Sequence, residues 1–275
     1  MPANKKLKIG IVGCGAIGTS LARHIVSHFR RNARLVALYD LNGQKAKALA
    51  QDCGRRNLAV GKLQALISKS DLVIEATALS ASFEIAKKVI LHSCDIMIMS
   101  VGGILKYYEP LKRLAEKKGA KIFIPSGAIS GIDAIKAASS GKIKKVTLTT
   151  IKPAKAFLGV PYVMKRNISL SNLKEDTVLF EGSALAATAA FPQNINVAAT
   201  LSLAGIGPKK TIVKIVASGK VSRNIHEIKV ESDSGLLFSR TENIAHPKNP
   251  KTSFLAVLSA IAMLKQILAP IKIGT

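Results

Sequence analysis

A glycine-rich turn near the N-terminus limits this chain more than any other feature. The apolar run Lys8-Ile-Gly-Ile-Val12 leads straight into Gly13-Cys14-Gly15-Ala16-Ile17-Gly18, and Thr19 to Phe29 then places Leu21, Ile25 and Phe29 at helical spacing. A lone GxGxxG is weak evidence; set between a strand and a helix it has the context that a dinucleotide-binding turn requires. Gly13 makes the tight turn, Gly15 leaves the main chain bare where a pyrophosphate would approach, and Gly18 lets the helix lie close on the strand. The N–H groups of the first helical turn, around Ala16 and Ile17, would face the diphosphate.

The second half of the pattern is an acid at the end of the next strand. Asp40 closes Leu35-Val-Ala-Leu-Tyr39 and lies 22 residues past Gly18. A carboxylate there accepts from the ribose hydroxyls of NAD and repels the 2′-phosphate of NADP. NAD is therefore the expected cofactor, with NADP kept possible by nearby Lys45. Ala76 and Thr77 follow the run Asp71–Glu75, and Gly102–Gly103 follow Asp95–Ser100. Both loops leave the carboxyl ends of strands, where a doubly wound sheet opens its ligand crevice.

Strand and helix patterns alternate up to about residue 128. Helices are expected over Gln44–Gln51, Phe83–Leu91 and Tyr108–Lys118, and a further strand over Lys121–Pro125. Continuous apolar strands joined by amphipathic helices imply a parallel sheet covered on both faces. The fold class is α/β: a Rossmann-type doubly wound parallel sheet over 1–128, then a second α+β domain over 129–251 with a mostly antiparallel sheet. In that domain Lys145–Lys152, Thr177–Glu181, Thr211–Ala217, Ile225–Glu231 and Leu236–Thr241 read as strands. Helices are expected near Ile132–Ala138, Ala184–Ala190 and Val197–Ala204. The segment 252–275 carries a last helix, Phe254 to Leu268, capped by Thr252 or Ser253 and expected to pack back on the first domain.

Charge narrows the partners. Lys and Arg number 41 against 16 Asp and Glu, a balance of +25 that raises nucleic-acid binding as a possibility. Aromatics make up only 4%, without tryptophan, so the stacking platforms that single strands need are missing. The charge reads instead as a solvated lysine surface that concentrates small anions. Three isolated cysteines, Cys14, Cys53 and Cys94, form no CxxC pair and suit a reducing cytoplasm. Met1 to Lys8 does not read as a signal peptide, and Phe254 to Leu264 is too short to cross a bilayer. None of the cysteines lies in the second domain, which argues against thioester chemistry and for direct hydride transfer.

Histidines are the remaining candidates. His24 and His28 are four apart but lack a third ligand, so no metal is expected and a solvent-facing position is. His92 sits at a helix end. His246 lies in a turn-rich run, His246-Pro-Lys-Asn-Pro-Lys-Thr-Ser253, where it binds an anion or shapes the loop. His226 shares one strand face with Ile228 and Val230, either as a hydrogen-bonded core residue or as a site residue in a cleft. Its ordinary pKa, about 6.5, suits proton transfer near neutrality.

Phe191-Pro-Gln-Asn-Ile-Asn-Val-Ala-Ala-Thr-Leu201, Ser126-Gly-Ala-Ile-Ser-Gly-Ile-Asp133, the stretch around His226 and the run 246–253 resemble the L-aspartate dehydrogenase family over nearly the whole chain. The resemblance implies oxidation of L-aspartate to iminoaspartate, then oxaloacetate and ammonia, as a step toward NAD biosynthesis. It implies that His226 is the active-site histidine and that Ala128 and Asn196 contact the cofactor. A dicarboxylate substrate also needs cations, for which Lys152, Lys248 and Lys251 are candidates, while Asn194 and Asn196 supply amides. Related dehydrogenases acting on homoserine or a dihydrodipicolinate-type imine are the alternatives, followed by a non-catalytic, basic NAD sensor. The expected protein binds no membrane and works as a cytoplasmic homodimer.

Overall fold

The computed structural model describes residues 6–170, 173, 175–192, 195–247 and 249–275, with the side chains of 250 and 251 outside that set. The chain divides into two compact units: Met1–Pro125 with Val257–Lys272, and Ser126–Ala256 with Ile273–Thr275.

In the first unit, β1 (Leu7–Val12), β2 (Ala33–Tyr39), β3 (Leu72–Glu75), β4 (Asp95–Ile98) and β5 (Ile122–Phe123) pair in parallel in the order β2-β1-β3-β4-β5. Parallel neighbours cannot be joined by a tight hairpin. The crossovers accordingly carry α1 (Ala16–His28), α2 (Gly43–Asp52), α3 (Leu63–Ile67), α4 (Leu79–Leu91) and α5 (Tyr108–Lys118). Every residue of β3 is buried, as expected for a strand covered on both faces. Ile9, Ile11, Leu21, Ile25, Leu72 and Ile74 sit in one core, joined by Ala260 and Leu264 of the C-terminal helix. Each large aliphatic side chain buried in this way contributes about 1.5–3 kcal/mol. Short α3 escapes the sequence reading because five residues are too few to show a period. The strand order turns in opposite directions on either side of β1, which places the ligand-binding switch point between β1 and β3.

The second unit holds α6 (Ile132–Ser139), β6 (Ile143–Pro153), α7 (Pro161–Lys165), β7 (Thr177–Ser183), α8 (Ala184–Ala190), α9 (Ile195–Ala204), β8 (Ile212–Ser218), β9 (Asn224–Ser232) and β10 (Gly235–Asn243). Its sheet runs β10-β9-β6-β8-β7; β6 and β8 are parallel, and the other three pairings are antiparallel. On the covered face, the β6–β9 register stacks Val146 against Val230 and Leu148 against Ile228, all buried. The next pair on that face is Thr150 and His226. The apolar ladder thus ends in a polar rung.

The stretch expected to be a turn-rich loop is instead a two-stranded ladder, β11 (Ala245–His246) with β12 (Asn249–Ser253), followed by α10 (Phe254–Leu268). Pro247 and Pro250 mimic a turn in sequence, yet an isolated two-stranded edge tolerates proline. No helix among the described residues is long and apolar enough to cross a membrane.

Candidate functional site

The three motif glycines meet different surroundings. Gly13 has φ +95°, and a Cβ there would lie 2.3 Å from the Ala76 carbonyl oxygen. A Cβ on Gly18 would lie 1.9 Å from the Gly13 carbonyl oxygen. These two are glycines because the protein itself leaves no room. A Cβ on Gly15 would meet nothing within 4 Å. Its small size therefore serves no internal packing need and leaves an open cradle. Gly15 caps α1 without a side-chain hydrogen bond, and no acid occupies the first turn. The N–H groups at Ala16 and Ile17 belong to that turn, which suits a diphosphate.

Asp40 is tied to the same turn. Its Oδ2 accepts from the Cys14 N–H at 2.8 Å and its Oδ1 from the Asn42 N–H at 2.9 Å. Each oxygen keeps a further lone pair for a ribose hydroxyl. The Cys14 thiol is pushed up to about 12, by burial first and by the Asp40 charge second. Burial likewise raises Cys94 to about 12 and raises Cys53. All three remain thiols at neutral pH, and a thiolate nucleophile has no candidate here. The residues present thus fit a pyridine nucleotide: a bare main-chain cradle followed by an anchored carboxylate.

Ala76 lies beside the glycine turn, its N–H donating to the Val12 carbonyl at 2.8 Å. Thr77 and Ser100 form the adjoining loop ends, and Gly102–Gly103 lie in a short 3-10 turn, Val101–Gly103. Between these loops sits a residue the sequence reading passed over. Glu75 is fully buried at the end of β3 and hydrogen-bonds to both. The only signal for it was an acid inside an apolar run.

In the second unit, His226 lies on β9. His226 is 6% exposed, with Nδ1 3.0 Å from Thr150 Oγ1. Burial, with the Lys152 charge second, pulls its pKa down to about 3. Lys152 follows Thr150 by two on β6 and so faces the same side of the sheet. Burial brings it down to about 8. At pH 7 the ring is neutral and the lysine remains mostly charged. Thr241, paired with His226 across β10, donates to the Ala128 carbonyl at 3.2 Å. Asn243 donates to the same oxygen at 3.0 Å and accepts from Ser253 Oγ at 2.6 Å. The main chain at Ala128 is thereby pinned beside the histidine strand.

Asn196 is exposed as the second residue of α9. Asn194, Lys248 and the side chain of Lys251 lie outside the described residues. The rings of His24 and His28 stack at 4.3 Å; His24 is half-buried rather than solvent-facing, and burial lowers its pKa. No cluster of three metal-ligating side chains exists among the described residues. His92 Nδ1 lies 2.8 Å from the Lys88 carbonyl at the end of α4. His246 is buried with its ring 5.7 Å from that of Phe254, which favours the loop-shaping reading over anion capture.

A family model described as aspartate dehydrogenase, C-terminal, matches residues 133–267. One described as homoserine dehydrogenase, NAD binding domain, matches 13–125. The chain is 46% identical over 271 residues to an L-aspartate dehydrogenase of Methanosarcina mazei, spanning 98% of this chain and all of that protein. It is 44% identical to one of Methanococcoides burtonii over 272 residues, spanning 98% of this chain and all of that relative. Among solved structures, aspartate dehydrogenase from Thermotoga maritima superposes with a TM-score of 0.77 at 28% identity, covering 98% of this chain and 100% of that one.

Proposed function

Because the chain belongs to the L-aspartate dehydrogenase family, we propose that it oxidises L-aspartate to iminoaspartate, which hydrolyses to oxaloacetate and ammonia, and that this feeds NAD biosynthesis. The observation that carries the reading is the polar rung of Thr150 and His226 at the end of an otherwise apolar sheet face, with the Lys152 charge acting on the ring from two residues beyond Thr150. A dicarboxylate needs a cation and a proton acceptor, and both are there.

The cofactor is a pyridine nucleotide, and of the two forms Asp40 favours NAD by its charge. When bound, its nicotinamide supplies the hydride acceptor. Gly13, Gly15 and Gly18, with the N–H groups of Ala16 and Ile17, hold the diphosphate. Ala76, Thr77, Ala128 and Asn196 complete the cofactor contacts in this reading. Lys152 pairs its ammonium with a substrate carboxylate, and partial burial strengthens that pair over a surface one. In the tautomer whose Nδ1–H donates to Thr150 Oγ1, Nε2 is left bare to act as the base. A neutral imidazole can take a proton from the water that adds to the imine carbon. The substrate's negative charges raise the ring's pKa from its low resting value and favour the protonated product of that step.

The same reading makes the protein a cytoplasmic homodimer. Leu236 and Phe238 stand 64% and 65% exposed on β10, a face that a second copy would cover, and the three cysteines are free thiols. Light scattering tests the dimer. The decisive experiment for function is a substrate panel followed at the reduced-nicotinamide absorbance. L-Aspartate with NAD should give the highest kcat/KM; turnover of homoserine with none of aspartate would overturn the assignment.

A further inference from the structure

Glu75 has no solvent exposure, yet it ends a strand whose other members are apolar. Its Oε1 accepts from Thr77 N–H at 2.7 Å and from Thr77 Oγ1 at 2.6 Å. Its Oε2 accepts from Ser82 Oγ at 3.1 Å and from Ser100 N–H at 3.1 Å. The circuit closes where Ser100 Oγ donates to the Thr77 carbonyl at 2.6 Å. One carboxylate therefore ties together the loop after β3, the first turn of α4 and the loop after β4. Burying an acid is costly unless its oxygens are satisfied, and four donors satisfy both.

We propose that Glu75 is the positioning residue of the cofactor crevice, setting the separation of the Thr77 and Ser100 loops that wall the nicotinamide half of the nucleotide. The proposal rests on reading the switch point beside Gly13 as a pyridine-nucleotide site. Glu75 has no exposed surface and acts through the loops it holds. Its acceptor-only character is what matters: every group facing it is a donor. Glutamine is the same size, but its NH2 must oppose either the Thr77 or the Ser100 backbone N–H. Neither N–H can turn around to accept, so one loop must move away.

The nucleotide divides naturally for a test. The glycine turn and Asp40 hold the adenosine and phosphates, which ADP also carries, whereas only NADH reaches the walls that Glu75 sets. Glu75→Gln should raise the Kd for NADH by about tenfold, the usual worth of a buried polar group left unpaired. In the same variant the Kd for ADP should stay within about twofold of the parent, since the phosphate turn keeps its contacts. At saturating NAD the KM for L-aspartate should also hold. General damage to the sheet would weaken ADP and NADH together, and that result, or an unchanged NADH affinity, overturns the proposal. Where Glu75→Gln does not fold, Ser82→Ala removes one donor from Oε2, away from the cradle, and the same split between NADH and ADP decides. Parent protein that binds neither nucleotide would instead sink the cofactor reading itself.

Discussion

Replacing His226 with alanine should lower kcat by about 10²–10⁴-fold, the usual range for a positioned proton-transfer group. NADH binding, followed by fluorescence, should remain near the parent value; unchanged turnover would remove the imidazole from the reaction. Lys152 makes a pH prediction. Its ammonium is present below about pH 8 and lost above it. Log kcat/KM for L-aspartate, which reports the free enzyme, should therefore fall as pH rises through about 8, and Lys152→Met should abolish that limb. His226 also links pH to stability. Its pKa in the fold, about 3, lies below the unfolded value of 6.5. The unfolded chain thus binds the extra proton first, and stability present above pH 6.5 is lost as pH falls toward 3. Denaturant titrations should show a shallower acid loss in His226→Gln. Period-two alternation placed His226 on the covered face. Lys152 was one lysine among three candidates, because only the β6–β9 register puts it on the histidine's side.

At the scale of elements, the turn before α1 offers a contrast within one motif. Gly18→Ala drives a methyl into the Gly13 carbonyl oxygen 1.9 Å away. It should depress Tm and nucleotide affinity together. Gly15→Ala places its methyl in open space and should leave Tm nearly unchanged while weakening NADH binding. Equal effects of the two substitutions on Tm, measured by calorimetry, would refute the division between packing glycine and cradle glycine. Long periodic segments such as Tyr108–Lys118 and Phe254–Leu268 were legible to the residue, because their apolar spacing repeats over several turns. The ladder at 245–253 was not, since proline and asparagine advertise turns whatever the pairing.

For the whole molecule, the cationic excess bears on substrate capture. Lys8, Arg34, Arg55 and Lys69 line a recess of about 680 Å³ at the amino ends of β1 and β2, away from the glycine turn. The charge is therefore spread over the first unit and not reserved for its crevice. Such a diffuse field steers anions at a distance and is screened within about 10 Å at 0.1 M salt. kcat/KM for L-aspartate should fall steadily with added potassium chloride while kcat holds; a flat response would show that the field does not guide this substrate.

The amino-acid order alone determined the doubly wound first unit, the mostly antiparallel second sheet and the glycine-rich turn before α1, with Asp40 at the end of the next strand. Each of these is written in local spacing: strand, glycines, helix, strand, Asp40. Only the tertiary structure decided that Thr150 and Lys152 share a face with His226, that the ring is neutral, and that Glu75 joins two loops. Those facts depend on strand register and burial, which bring together residues as far apart as 76 positions and which no local pattern encodes.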